Sequence, residues 1–319
     1  MSNKRIVVIG GGHGQSLICQ SIKSIDHLDI SAIVTVADDG GSTGRLRELF
    51  HLPAMGDIRN VMLALSDSTS LLARLMDYRF ASSPDDMEDM DVQGHNLGNL
   101  IFTALMQETG SLEESINALA SILHTQGKVI PVTDQVVTLN AMMKDGTRVK
   151  GEKNIPTMVN SIDKVFYDVS VYANTHAIEA ILNADLIIYG IGSLYTSILP
   201  NVIIPEVADA LHRCNAPKVY FCNAMTQPGE TDGYSLEDHM EAFDKHHVPV
   251  DLVVLANDLI PNALTSKYLT QHSIAVKAKN KEHTYQVWQR EMLQFDNQLV
   301  RHDVNKVKAI IKELLGKVY

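Results

Sequence analysis

Ile6-Val7-Val8-Ile9-Gly10-Gly11-Gly12-His13-Gly14-Gln15-Ser16 is the stretch that decides the fold. Four β-branched residues in a row suit a strand buried on both faces of a parallel sheet, and glycines close it. A helical pattern follows over residues 15–24, and a second apolar run covers residues 30–37. Strand, glycine loop, helix and strand in that order open a βαβ unit. The expected fold class is α/β: a Rossmann-like, doubly wound, mostly parallel sheet.

Working outward, residues 43–52, 58–65, 70–80, 96–108 and 111–125 read as helices, the last opened by Ser111 with Glu114 three residues on. Residues 82–93 carry Pro84 and five acids and read as a solvated loop. From 128 to 172 the pattern turns β-rich around Lys144-Asp145-Gly146, a hairpin turn signal, so an insertion on the α/β core is expected there. Buried strands return at 186–189, 219–221 and 252–255. Asp303 sits at the N-cap position of a closing helix whose apolar residues run from Val304 to Leu315. No linker separates these parts, and residues 1–319 read as a single domain.

Composition sets the outer limits. The 319 residues are 45% hydrophobic and 20% charged, which excludes a disordered, collagen-like or disulfide-scaffold chain. A formal charge of −11 makes the bulk surface repel nucleic acid and anionic membrane. Cys19, Cys214 and Cys222 form no CxxC and read as buried thiols. No apolar run approaches the ~18–20 residues that span a bilayer. A soluble cytoplasmic protein, without membrane insertion and without a nucleic-acid partner, is expected.

The first chemical candidate is the loop Gly11, Gly12, His13 and Gly14. Glycines directly after a buried strand let backbone approach an anion that the next helix N-terminus stabilises. The GxGxxG frame places Gln15 where a third glycine belongs, so the dinucleotide fingerprint is incomplete. A tight turn without ligand is the plainer alternative. The second candidate is Asp38-Asp39-Gly40-Gly41-Ser42-Thr43-Gly44-Arg45 after the second strand. Asp38 and Asp39 suit either a ribose or Mg²⁺ beside phosphates, and Gly41, Ser42 and Arg45 add donors.

Further polar clusters follow or open regular elements: Gly56-Asp57-Ile58-Arg59-Asn60, Gly94-His95-Asn96-Leu97-Gly98-Asn99, Gly190 to Ser197, and Asn223 to Thr231. From these, Asp57, Arg59, Asn60, Asn96, Asn99, Gly192, Ser193, Thr196, Ser197, Asn223 and Thr226 are the candidate ligand contacts. Beyond the carboxyl ends of parallel strands such residues face the crevice where doubly wound sheets bind ligands. The histidines lack zinc spacing, and neither a GxSxG elbow nor a Walker A lysine occurs.

Together, VVIGGGHG, IVTVADDGGSTGRLR, GDIRN, GHNLGNL, GSLYTSILPN and NAMTQPGET resemble the CofD-like superfamily, and within it the YvcK-type gluconeogenesis factors. The motifs run in family order from residue 7 to 231. His13 stands where relatives usually carry Thr, and Ile191 where they carry Pro. The resemblance implies a Rossmann-like core and binding of a UDP-sugar such as UDP-N-acetylglucosamine, or of NAD(P). It also implies a role in cell shape and wall-precursor supply on gluconeogenic carbon sources. A regulatory protein partner and homo-oligomeric assembly are expected. Near the C-terminus, Arg301 before the Asp303 cap reads as a diphosphate clamp and Tyr268 as a stacking partner; a surface arginine and a core tyrosine are the plainer alternatives.

Three functional readings remain open at this point. The first is a UDP-sugar-binding regulator, because the crevice is rich in donors and shows no evident nucleophile. The second is a Mg²⁺-dependent nucleotidyl- or 2-phospho-L-lactate-type transferase, with Asp38 and Asp39 on the metal. The third, an NAD(P)-dependent oxidoreductase, is weakened by the imperfect glycine frame.

Overall fold

The computed structural model describes residues 3–67, 69–81, 92–158, 161–280, 282–296 and 299–317. The opening unit forms as the sequence implies: β1 (Lys4–Gly10), α1 (Gly12–Ile22) and β2 (Leu28–Val34). Ile6, Val8 and Ile9 are wholly buried, as a strand covered on both faces requires. Then come α2 (Gly41–Phe50), α3 (Gly56–Leu65), α4 (Leu71–Asp77), α5 (Leu97–Thr109), α6 (Leu112–Leu123) and β3 (Lys128–Pro131).

Helix α4 stops at Asp77 rather than running to residue 80. Leu97 N donates to Tyr78 O, and Arg79 bridges Asn96, so tertiary pairing pulls the chain out of the helix. Most of the acidic stretch 82–93 lies outside the described residues.

The β-rich stretch divides. Its first strand, β3, pairs with β2 at the edge of the central sheet. A separate antiparallel sheet contains β4 (Asn140–Met143), β5 (Arg148–Lys150) and β6 (Ile162–Phe166), in the order β5-β4-β6. The β4–β5 hairpin turns where Lys144-Asp145-Gly146 places it, with Gly146 at φ +88°. A 3₁₀ turn, Glu152–Thr157, follows β5.

The second half continues with α7 (Thr175–Leu182), β7 (Leu186–Tyr189), α8 (Leu199–Val202), α9 (Pro205–Arg213) and β8 (Lys218–Phe221). After these come α10 (Leu236–Lys245), β9 (Leu252–Ala256), α11 (Asn262–Thr270) and β10 (Gln286–Arg290). A hairpin, β11 (Leu293–Asp296) with β12 (Leu299–His302), leads into α12 (Val304–Lys317). Asp303 caps that helix, its Oδ1 accepting from Asn305 N and Lys306 N at 2.9 and 2.8 Å.

Among the described residues the central sheet has seven parallel strands in the order β10-β9-β8-β7-β1-β2-β3. The chain winds outward from β1 through β2 to β3, then returns to the other side of β1 and winds outward through β10. The order therefore reverses between β1 and β7, the kind of switch point at whose carboxyl ends doubly wound sheets bind ligands. Cys19, Cys214 and Cys222 are buried free thiols.

Candidate functional site

At the reversal, the loops after β1 and β7 touch. Gly12 adopts φ +61°, a conformation that suits glycine. A Cβ on Gly14 would lie 1.3 Å from Ile191 O, so only glycine lets the two loops meet this closely. Gln15, in the place of the third fingerprint glycine, is fully buried; its Nε2 donates to Val8 O and Ile33 O at 2.9 and 2.8 Å. It ties β1 to β2 from below the loop, a different solution from the close helix packing that glycine provides.

Helices α1, α2 and α3 all begin at this end of the sheet without a side-chain N-cap. Their first-turn amides leave partial positive charge facing the crevice. Beside them lies a cleft of about 440 Å³. Of the residues expected from sequence, it is lined by His13, Asp38, Gly41, Ser42, Asp57, Arg59, Asn60, Asn96 and Asn99. Thr43, from the same candidate loop as Ser42, lines it too, as do Asp77 and Arg79, which were not anticipated. A larger cavity of about 940 Å³, lined by Arg5, Leu28, Lys128 and His176 among others, contains none of the expected residues.

The floor of the cleft is acidic. Asp38 accepts from Gly40 N at 2.9 Å, and burial raises its pKa. Burial first, then the charge of Asp38, push Asp57 up to about 7 against the opposing Gly12 amide and Arg59. Glu152, brought by the turn after β5, is pushed up to about 8 by burial and by Asp38, Asp39, Glu230 and Asp57. Burial and the mutual repulsion of these carboxyls favour a proton among them.

Asp39 is not among the residues that line this cleft. Its Oδ1 accepts from Lys153 N at 2.8 Å and fastens the insertion to the loop after β2. The carboxylates that accompany Asp38 in lining the cleft are Asp57, from the first turn of α3, and Asp77, the last residue of α4.

The facing wall is a polar network. Ser42 Oγ lies 3.0 Å from His95 Nδ1 and accepts from Asn96 N and Asn99 Nδ2 at 3.2 and 3.3 Å. Burial, followed by the charges of Arg45 and Arg79, lowers the His95 pKa and favours a neutral ring. Arg59 is 5% exposed and donates from Nη1 to Asn99 Oδ1 at 2.7 Å and from Nη2 to Asn60 Oδ1 at 2.5 Å. Its buried Nε has no partner. Arg45 turns away, donating to Gln93 O at 2.8 Å.

On the β7 side, Gly192 approaches both Gly11 O and Ser197. Ser193 Oγ donates to Glu230 Oε2, and Thr196 Oγ1 lies 3.1 Å from Glu230 Oε1, all three residues being buried. Glu230 belongs to the cluster after β8 and was not singled out from sequence. Asn223 Oδ1 is buried without a partner. Thr226 is bound up structurally: its N and Oγ1 pair with Ile274, and its carbonyl accepts from Ser273 Oγ at 2.5 Å.

Tyr268 and Arg301 lie apart from the cleft lining. Tyr268 OH accepts from Val300 N at 3.0 Å, joining α11 to β12, while Arg301 is exposed on β12 opposite Gln294.

Residues 6–293 match the family described as 2-phospho-L-lactate transferase CofD. The chain belongs to the CofD family. It is 38% identical over 317 residues to the gluconeogenesis factor of Bacillus subtilis, covering 98% of each chain. The gluconeogenesis factor of Listeria monocytogenes is 42% identical over 315 residues, covering 98% of this chain and 95% of the relative. A crystal structure of a UPF0052 family protein from Bacillus halodurans superposes with a TM-score of 0.91 at 36% identity, covering 97% of this chain and 99% of that one. Among the described residues no helix is long and apolar enough to cross a membrane.

Proposed function

We propose that this chain is a cytoplasmic gluconeogenesis-type regulatory factor that binds a UDP-sugar, such as UDP-N-acetylglucosamine, and supports cell shape and wall-precursor supply. What carries the reading is the contact of Gly14 with Ile191 O at the sheet's reversal, beside the uncapped start of α1. A diphosphate is the ligand group that such backbone donors stabilise best. Titration calorimetry with UDP-N-acetylglucosamine tests it. Binding that weakens in Arg301→Ala supports a nucleotide reaching from the loops toward β12. Absence of heat at ~1 mM ligand refutes the reading, because specific small-molecule sites are normally filled well below that concentration.

Asp38 and Asp57 fit Mg²⁺, which keeps several waters and takes one or two carboxylates beside substrate phosphates. Among the described residues no group of three His, Cys, Asp or Glu side chains is arranged to hold a metal on protein ligands alone. The cation would therefore arrive with, and be held by, the ligand's phosphates, whose charge it would neutralise.

The acidic floor favours a second reading, a Mg²⁺-dependent transferase of a phosphorus-containing group. Asp38 and Asp57 would orient the cation, while the first-turn amides of α1 and α2 would stabilise charge on the transferred group. Incubation with UTP and a sugar 1-phosphate, with and without Mg²⁺, tests it. A Mg²⁺-dependent product lost in Asp57→Asn supports transfer; no product in either condition leaves binding alone.

A further inference from the structure

The geometry points to the Arg59–Arg79 end of the 440 Å³ cleft as a separate subsite for a phosphomonoester on a small, hydroxylated, non-aromatic carrier. This goes beyond the UDP-sugar reading, which concerns the loops after β1 and β7.

Three observations carry it. Arg59 and Arg79 line one cleft without a carboxylate partner within ion-pair distance among the described residues. Arg59 spends its Nη atoms on neutral amides, and Arg79 Nη1 donates to Gly94 O at 2.8 Å. Two guanidiniums on one wall repel, and Arg79 lowers the Arg59 pKa, after burial and against the opposing charges of Asp77, Asp57 and Asp38. An oxyanion between them removes that repulsion and supplies charge-assisted hydrogen bonds.

The second observation is that Arg59 Nε is buried and unpartnered on a side chain only 5% exposed. A buried donor left unpaired costs free energy, which leaves the Arg59 guanidinium short of hydrogen-bond partners at this wall. The third is the lining itself. The uncapped first turns of α2 and α3 face the cleft at Gly41, Ser42 and Gly56, and apart from the His13 imidazole no aromatic or large apolar side chain lines it. No Phe, Tyr or Trp ring offers a nucleobase a stacking surface there. Asp77, whose charge acts on Arg59 at this end of the cleft, accepts from hydroxyls, which suits a polyol carrier for the phosphate.

Calorimetric titration of the full chain with glucose 6-phosphate, glucose and inorganic phosphate, each with and without saturating UDP-N-acetylglucosamine, tests the assignment. Glucose 6-phosphate should bind, glucose should not, and the nucleotide should leave the phosphomonoester's affinity in place. Arg79 is exposed, so Arg79→Ala should fold, as circular dichroism will check. It should weaken glucose 6-phosphate by ~10-fold or more, the loss of a charge-assisted hydrogen bond.

No heat at ~5 mM glucose 6-phosphate, an affinity unmatched by specific sites, overturns the proposal. So does unchanged binding in folded Arg79→Ala. Displacement by UDP-N-acetylglucosamine also overturns it, by making the cleft part of the nucleotide site. Inorganic phosphate binding as tightly as the ester overturns the role of the carrier. If UDP-N-acetylglucosamine gives no heat while glucose 6-phosphate binds, the UDP-sugar reading fails and the subsite stands.

Discussion

Asp57→Asn replaces a carboxylate that burial and the Asp38 charge push from 3.8 to about 7 by an uncharged group of the same shape. Its amide oxygen can still accept from Gly12 N. A carboxyl whose native pKa lies above its unfolded value contributes stability that is whole below pH 3.8 and is lost as pH rises through about 7. At ~1.4 kcal/mol per pH unit between those values, the ionised group costs at most ~4 kcal/mol by pH 8. Asp57 borders a cleft that water enters, and screening there leaves ~2 kcal/mol. In a chain of 319 residues this corresponds to ~3 °C in Tm. Thermal unfolding of the ligand-free protein at pH 5, 6.5 and 8 measures it. The Asn variant should gain on its parent steadily across that range and melt higher at pH 8. With Mg²⁺ and UDP-N-acetylglucosamine added at pH 8, the parent should rise in Tm and the variant should rise less. A Tm difference independent of pH would refute the buried, repelled carboxylate.

Other substitutions probe the frame that holds the site. Gly14→Ala drives a Cβ onto Ile191 O and should cost ~3 kcal/mol or more and abolish calorimetric binding of UDP-N-acetylglucosamine. Gln15→Leu loses the hydrogen bonds to Val8 O and Ile33 O but also removes the unpartnered Gln15 Oε1, so urea denaturation should show a net loss of ~1–2 kcal/mol. His124 ends α6 at φ 50° and ψ 50°, and His124→Gly should raise stability by ~0.5 kcal/mol, relief of left-handed strain exceeding glycine's greater unfolded freedom.

The features that were legible in the sequence are those that local chemistry dictates. Ile6 to Ile9 could only be a buried strand, and the glycines after it could only turn close to another chain. Lys144-Asp145-Gly146 made its hairpin and Asp303 its cap, because turn and cap geometry depend on a few neighbouring residues. The motifs from VVIGGGHG to NAMTQPGET marked the family, and most of the cleft residues lie within them.

Which of those residues meet was decided by tertiary structure. Asp38 and Asp39 are adjacent, yet one faces the cleft and the other anchors the insertion at Lys153, because a distant segment of chain claims the second carboxylate. Glu152, from the insertion, feels the charges of Asp38 and Asp57 and also that of Glu230 from the loop after β8, and Arg79 arrives because pairing with Asn96 ends α4 early. Strand β10, too mixed in polarity to read as a buried strand, is recruited by β9. Local pattern sets each element, whereas the order in which parallel strands line up sets which loops share a crevice, and that order depends on packing summed over the whole sheet.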